Sequence, residues 1–142
     1  MTNFLRLAPL TSILILLLAL AGCSGSGGNE PPEPPTDTSP PAAPATFTAA
    51  SGDGQIALNW EAPGDADVEG YNLYRATEPF SSVTGRSPVN GALIEDVTYD
   101  DGVVTNGTTY YYRVTAVDDN ENESDPSVER SATPFPTPPD RP

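Results

Sequence analysis

The sequence predicts an all-β fold, a seven-stranded antiparallel sandwich, and three observations predict it. Turn-forming dipeptides, Asp53-Gly54, Pro63-Gly64, Asn90-Gly91, Asp101-Gly102 and Asn106-Gly107, punctuate the chain at short intervals. The segments between them alternate apolar and polar residues with the period of two that a half-buried strand requires. No window carries the three-to-four residue periodicity of an amphipathic helix. Many short strands joined by turns bury their apolar faces by packing as two sheets.

Each strand has its own signature. Residues 46–50 form the first candidate, and residues 55–60 place Ile56, Leu58 and Trp60 on one side. Residues 70–76 carry Tyr71 and Leu73 inward, which leaves Arg75 at a position that alternation also points inward. A bulge there, or a guanidinium reaching to the sandwich edge, is expected. Residues 92–94 and 97–100 are short candidates, and residues 127–133 supply the last. The longest strand, 109–118, presents Tyr110, Tyr112, Val114 and Ala116 on one face and Tyr111, Arg113, Thr115 and Val117 on the other. Trp60, Tyr71, Leu73, Tyr110, Tyr112 and Val114 make up the bulky inward set that a small two-sheet core needs. The loop 77–89, with Pro79, Phe80 and Pro88, has no strand that the pattern can place.

The flanks have a different character. Residues 1–22 read as a secretory signal: Arg6, an apolar run over 7–20, then the small Ala21 and Gly22. The run falls short of the roughly 20 apolar residues a membrane helix needs, and Pro9 interrupts it. Cys23 is the single cysteine, so it has no disulfide partner within the chain. The box Leu20-Ala21-Gly22-Cys23 resembles the processing site of bacterial lipoproteins. That resemblance implies a diacylglycerol on the Cys23 sulfur, cleavage before it and acylation of the new amino terminus. The chain is then exported and held to a membrane through lipid on Cys23, with enough acyl chains for stable anchoring. Ser24 after the cysteine implies the outer membrane if the source is Gram-negative. Residues 23–43 form a Gly/Ser/Pro-rich tether that could reach on the order of 60 Å when extended, and residues 135–142 form a Pro-rich tail.

Between these flanks, residues 44–134 resemble a fibronectin type III domain, an immunoglobulin-like sandwich common in bacterial exported proteins. The resemblance rests on Pro44-Ala45-Thr46-Phe47-Thr48-Ala49, Ile56-Ala57-Leu58-Asn59-Trp60, Gly70-Tyr71-Asn72-Leu73-Tyr74-Arg75 and the run from Asn106 through Tyr110-Tyr111-Tyr112-Arg113 to Val117. It implies structural roles for Trp60 and Tyr71, and it puts Tyr110 at the tyrosine corner, whose hydroxyl bonds main chain a few residues upstream.

Charge and residue inventory narrow the function. Six basic residues against 20 acidic ones give a net charge of −14, with no histidine and no lysine. Such a chain repels nucleic acid, which is bound through basic groups. Without histidine or lysine the usual general bases are missing, and the one thiol is assigned to lipid. No catalytic residue is therefore expected, and the chain reads as a non-enzyme. No cofactor is expected either, with calcium as the one exception considered. Asp118, Asn120, Asn122 and Glu129 fall at the first, third, fifth and twelfth positions of an EF-hand-like loop. Glu123 takes the position that calls for glycine, and Pro126 lies inside the loop. A second acidic loop with Asp65 and Asp67 emerges at the same end. Both loops also suit turns in which Asp and Asn bond their own backbone, the reading to be weighed against calcium. Tyr74, Tyr111 and Arg113 are expected outward on one sheet, as a patch for a protein or polysaccharide partner or as cross-strand pairs alone. The reading is a membrane-anchored lipoprotein displaying a binding or spacer module, with a calcium-binding adhesion module or a carbohydrate-associated accessory domain as alternatives.

Overall fold

The computed structural model describes residues 35–138, so Cys23, the signal segment and the first part of the tether lie outside the described residues. Six strands follow in order: β1 Ala45–Ser51, β2 Ile56–Glu61, β3 Val68–Ala76, β4 Thr98–Asp101, β5 Tyr110–Asp118 and β6 Arg130–Ala132. They form two antiparallel sheets, β1-β2-β4 and β3-β5-β6. The expected all-β sandwich is present, and among the described residues no helix is long and apolar enough to cross a membrane.

The inner faces meet in a core of Phe47, Ile56, Leu58, Trp60, Tyr71, Leu73, Tyr112, Val114, Ala116 and Ala132. Trp60 is its aromatic centre, edge-on to Phe47 at 6.3 Å and to Tyr71 at 5.3 Å between ring centroids. Such T-shaped pairs set the positive ring edge against the negative ring face. Tyr110 lies at the margin, half-buried, and its hydroxyl accepts a hydrogen bond from the Thr105 N–H at 3.1 Å. That is the upstream main-chain bond expected of it.

One of the seven candidate strands, residues 92–94, contracts to a single bridge. Ile94 exchanges both main-chain bonds with Tyr71, at 2.9 and 3.0 Å. Beyond that pair the Val89 N–H donates to the Leu73 carbonyl at 2.8 Å, and a side chain supplies the other bonds. Asn90 Oδ1 accepts from the Leu73 N–H at 2.8 Å, and Asn90 Nδ2 donates to the Tyr71 carbonyl at 3.1 Å. Asn90-Gly91 thus serves as a patch on the β3 edge more than as a hairpin turn. Close approach here requires Gly70, because a Cβ at that position would lie 2.8 Å from the Leu93 Cβ.

The last candidate strand, 127–133, is shortened to β6 for a related reason. Pro126 has no N–H to give. The Ser124 and Ser127 N–H groups still donate to the Ala116 and Val114 carbonyls, each at 2.9 Å, but two serine hydroxyls take the return bonds. Ser124 Oγ accepts from the Ala116 N–H at 2.9 Å and Ser127 Oγ from the Val114 N–H at 3.1 Å. Each hydroxyl then donates to the carbonyl of its own successor, Asp125 or Val128.

Arg75 stays in register with Tyr112, without a bulge. Its guanidinium crosses to the other sheet and meets Asp101 at the end of β4, with NH1 at 2.9 and 2.7 Å from the two carboxylate oxygens. Asp101 also accepts from the Tyr112 hydroxyl at 2.9 Å and the Val103 N–H at 3.0 Å. The guanidinium caps the Val103 carbonyl and lies over the Tyr110 ring at 5.4 Å. The inward arginine is therefore paired with a buried acid instead of snorkelling.

Both flanks of the sandwich are pinned. Residues 37–44, at the end of the predicted tether, run along the domain: Pro41 and Pro44 are buried, and the Ala42 N–H donates to Asp65 at 3.0 Å. At the opposite pole the Phe135 N–H donates to the Gly52 carbonyl and the Thr137 N–H to Asp53, each at 3.0 Å.

Candidate functional site

The predicted cation loop folds as a self-satisfied turn. Asp118 is fully buried, and its Oδ1 accepts from the main-chain N–H groups of Asn120 and Asn122 at 3.0 and 2.7 Å. Its Oδ2 accepts from Asn122 Nδ2 at 2.9 Å. Burial alone would raise this carboxyl, but the donors, the Asn122 side chain first, hold it below its ordinary value. The positive backbone angle falls on Glu121, with φ of 64°, and not on Glu123. Glu129 belongs elsewhere, because its Oε2 accepts the Phe80 N–H at 2.7 Å. The EF-hand-like set of Asp118, Asn120, Asn122 and Glu129 is thus not assembled: Pro126 and the serine ladder carry residue 129 along β5 and away from the turn. Asp65 is occupied by the Ala42 N–H. What does converge is Asp118, Asp67 and Asp37, whose carboxylate oxygens lie within 4.8 Å of one another. Asp37 was invisible to motif reading because it lies in the stretch assigned to the tether.

The outward patch is also rebuilt. Tyr74 is only 4% exposed, because the 77–89 loop and the segment after β5 roof the outer face of β3 and β5. Arg113 Nε donates to the Phe80 carbonyl at 2.6 Å and its NH1 to the Ser127 carbonyl. Tyr111 is half-buried. Of the expected free surface, Tyr74 and Arg113 are instead fixed posts for the roof, which apolar patterning cannot reveal because they hold it through hydrogen bonds.

Glu123 organises this roof. Its Oε1 accepts from Thr115 Oγ1 at 2.6 Å, the Tyr74 hydroxyl at 2.7 Å and Asn72 Nδ2 at 3.2 Å. Burial pushes the Glu123 carboxyl up, and these donors overcome it and keep the group below its usual range. Beside it opens a cleft of about 530 Å³ between residues 81–86 and 123–126, lined by Tyr74, Ser82, Thr84, Arg86, Glu123 and Asp125. A second cleft of about 360 Å³ lies between Pro40, Pro41, Ala42 and Ala43 and the same two acids, Glu123 and Asp125. Arg86 is held over the Phe80 ring at 4.4 Å, with its Nε donating to the Ser82 carbonyl at 3.2 Å.

Three tyrosines carry a pH signature. Burial, then the bond and charge of Glu123, raise Tyr74; burial, then Asp101, raise Tyr112; burial alone raises Tyr71. A raised value means that the fold favours the protonated phenol, so this stabilisation is complete below the ordinary value of 10.0 and is lost as pH climbs past it. In a tyrosine absorbance titration Tyr74 and Tyr112 are expected to stay silent beyond pH 10.0 until the domain opens, and Tyr71 to ionise above that value as well. Ionisation of all six near that value with the fold intact would contradict the geometry. At the acid end, the lowered Asp118 and Glu123 contribute stability above their ordinary values of 3.8 and 4.5 that is lost as pH falls through them.

No family model matches the chain. A solved Fn3-like protein from Clostridium thermocellum superposes with a TM-score of 0.52 and 28% identity, over 70% of this chain and 99% of its own. The described domain has the fibronectin type III fold. A β-1,2-glucanase from Parabacteroides distasonis contains a similar region, with a TM-score of 0.56 and 28% identity, covering 75% of this chain and 14% of the glucanase. In sequence, an amylopullulanase from Thermoanaerobacterium saccharolyticum is 36% identical over 101 residues, 66% of this chain and 7% of that enzyme. The fibronectin type III domain therefore matches a small part of much larger enzymes, and this chain spans less than a tenth of the amylopullulanase it resembles.

Proposed function

We propose that the chain is a membrane-anchored, non-enzymatic lipoprotein that displays its fibronectin type III domain at the cell envelope as a spacer or binding module associated with carbohydrate. The order of parts carries this reading: a lipoprotein-like box ending at Cys23, a proline-rich segment, then one small sandwich. Similarity to a region of an amylopullulanase supports the carbohydrate association. The inventory without histidine or lysine supports a role without catalysis, and the net charge of −14 keeps nucleic acid away. Cells fed radiolabelled palmitate are expected to label the wild-type chain in the membrane fraction, and Cys23→Ala is expected to lose both label and fractionation. Equal label in the two would overturn the anchor.

A calcium-dependent form of this module is favoured by the convergence of Asp37, Asp67 and Asp118. Oxygen ligands from three segments would let a hard cation clamp the proline-rich segment to the domain pole. Calorimetry on the full chain in mild detergent is expected to give heat with millimolar calcium and a higher melting temperature, both abolished in Asp67→Asn. An absence of heat and of any melting shift dismisses the ion.

A further inference from the structure

We propose that the two clefts meeting at Glu123 and Asp125 form one groove that binds a linear, uncharged oligosaccharide, an inference that rests on the carbohydrate association above. The groove has the two kinds of wall that a sugar ring needs. On one side are polar groups of both signs: carboxylates at Glu123 and Asp125, a guanidinium at Arg86, and hydroxyls at Ser82 and Thr84. On the other, Pro40 and Ala43 set an apolar surface opposite the same carboxylates. A sugar hydroxyl both donates and accepts, so it satisfies an acid that only accepts and an arginine that only donates.

The polar wall is prepared in advance. Among the described residues the ion pair present is Arg75 with Asp101, so Arg86 is not neutralised by the acids that share its cleft. Stacking on Phe80 and the bond from Nε to Ser82 fix the Arg86 side chain while leaving its terminal nitrogens uncommitted. Glu123 is held through Oε1 by Thr115, Tyr74 and Asn72. Groups already positioned lose little freedom when a ligand arrives.

Charge and shape select the ligand class. Two carboxylates beside a single guanidinium, on a chain of net charge −14, disfavour an anionic ligand. Because the clefts, of about 530 and 360 Å³, share Glu123 and Asp125, the ligand extends across both walls as a chain would. Typical ligand sites span roughly 300 to 1,000 Å³, the range of these clefts.

Retention of the full chain, in mild detergent, on insoluble starch, cellulose and chitin tests this against Arg86→Ala and Asp125→Ala. Both side chains are exposed, so both variants should melt as the wild type does. The wild type is expected to be retained by at least one polysaccharide, and each variant to be retained about ten-fold less. Wild type and variants retained equally would overturn the groove and leave the carbohydrate association standing. No retention of the wild type on any of the three would overturn both.

Discussion

Replacing Asp101 by alanine is expected to destabilise the domain by about 3–5 kcal/mol, the range for removing one member of a buried charge pair. Asp101 is 2% exposed and serves Arg75, the Tyr112 hydroxyl and the Val103 N–H together. Its loss leaves the phenol without an acceptor and the guanidinium without its counter-charge, with only the Val103 carbonyl to bond. Domains of this size have total stabilities of about 5–15 kcal/mol, so the variant would sit near the threshold of folding. Urea unfolding followed by the fluorescence of Trp60, the single tryptophan, measures it. The triple change Asp101→Leu, Arg75→Met and Tyr112→Phe is expected to be milder than Asp101→Ala alone, because it removes the charge together with its counterpart. A loss below about 1 kcal/mol in Asp101→Ala, as for an exposed pair, would show that solvent reaches the cluster.

The second large effect is expected at the two serines beside β5. Ser124→Ala and Ser127→Ala each orphan a buried main-chain donor, Ala116 N–H or Val114 N–H, at a cost of about 1–3 kcal/mol apiece. The double variant is expected to lose about 2–5 kcal/mol and to expose both amides to rapid hydrogen exchange. Threonine at either position keeps the hydroxyl and should recover much of the loss. Unchanged exchange at Val114 and Ala116 in the double variant would mean that backbone supplies their acceptors.

These two clusters also mark where reading residues in order stops. Alternation located β2, β3 and β5 and most of the core, because Ile56, Leu58 and Trp60, and then Tyr112, Val114 and Ala116, repeat with period two and are buried. It located Arg75 as an anomaly without finding Asp101, which lies 26 residues on and reaches it only after the sheets stack. It drew 92–94 as a strand where Asn90 stands in for backbone and drew the last strand too long where Ser127 does, since a side-chain amide or hydroxyl in a ladder leaves no periodic trace. Glu123 stood out in the sequence as a defect in a cation loop. Its actual partners, Asn72, Tyr74 and Thr115, come from two strands whose adjacency no local pattern encodes.

The pinned flanks have a mechanical consequence. The chain arrives beside Asp65 and leaves beside Asp53, at opposite poles, and β1 and β6 both run from the first pole toward the second. Arg130 on β6 ties to the Phe47 carbonyl of β1 at 2.8 Å, and the Thr133 N–H ties to Ser51 at 3.1 Å. Tension between the two ends would therefore drag these strands lengthwise past each other, loading their cross-links in shear and all together instead of unzipping them singly. A module strung this way resists extension until the rate of forced unfolding overtakes the pull.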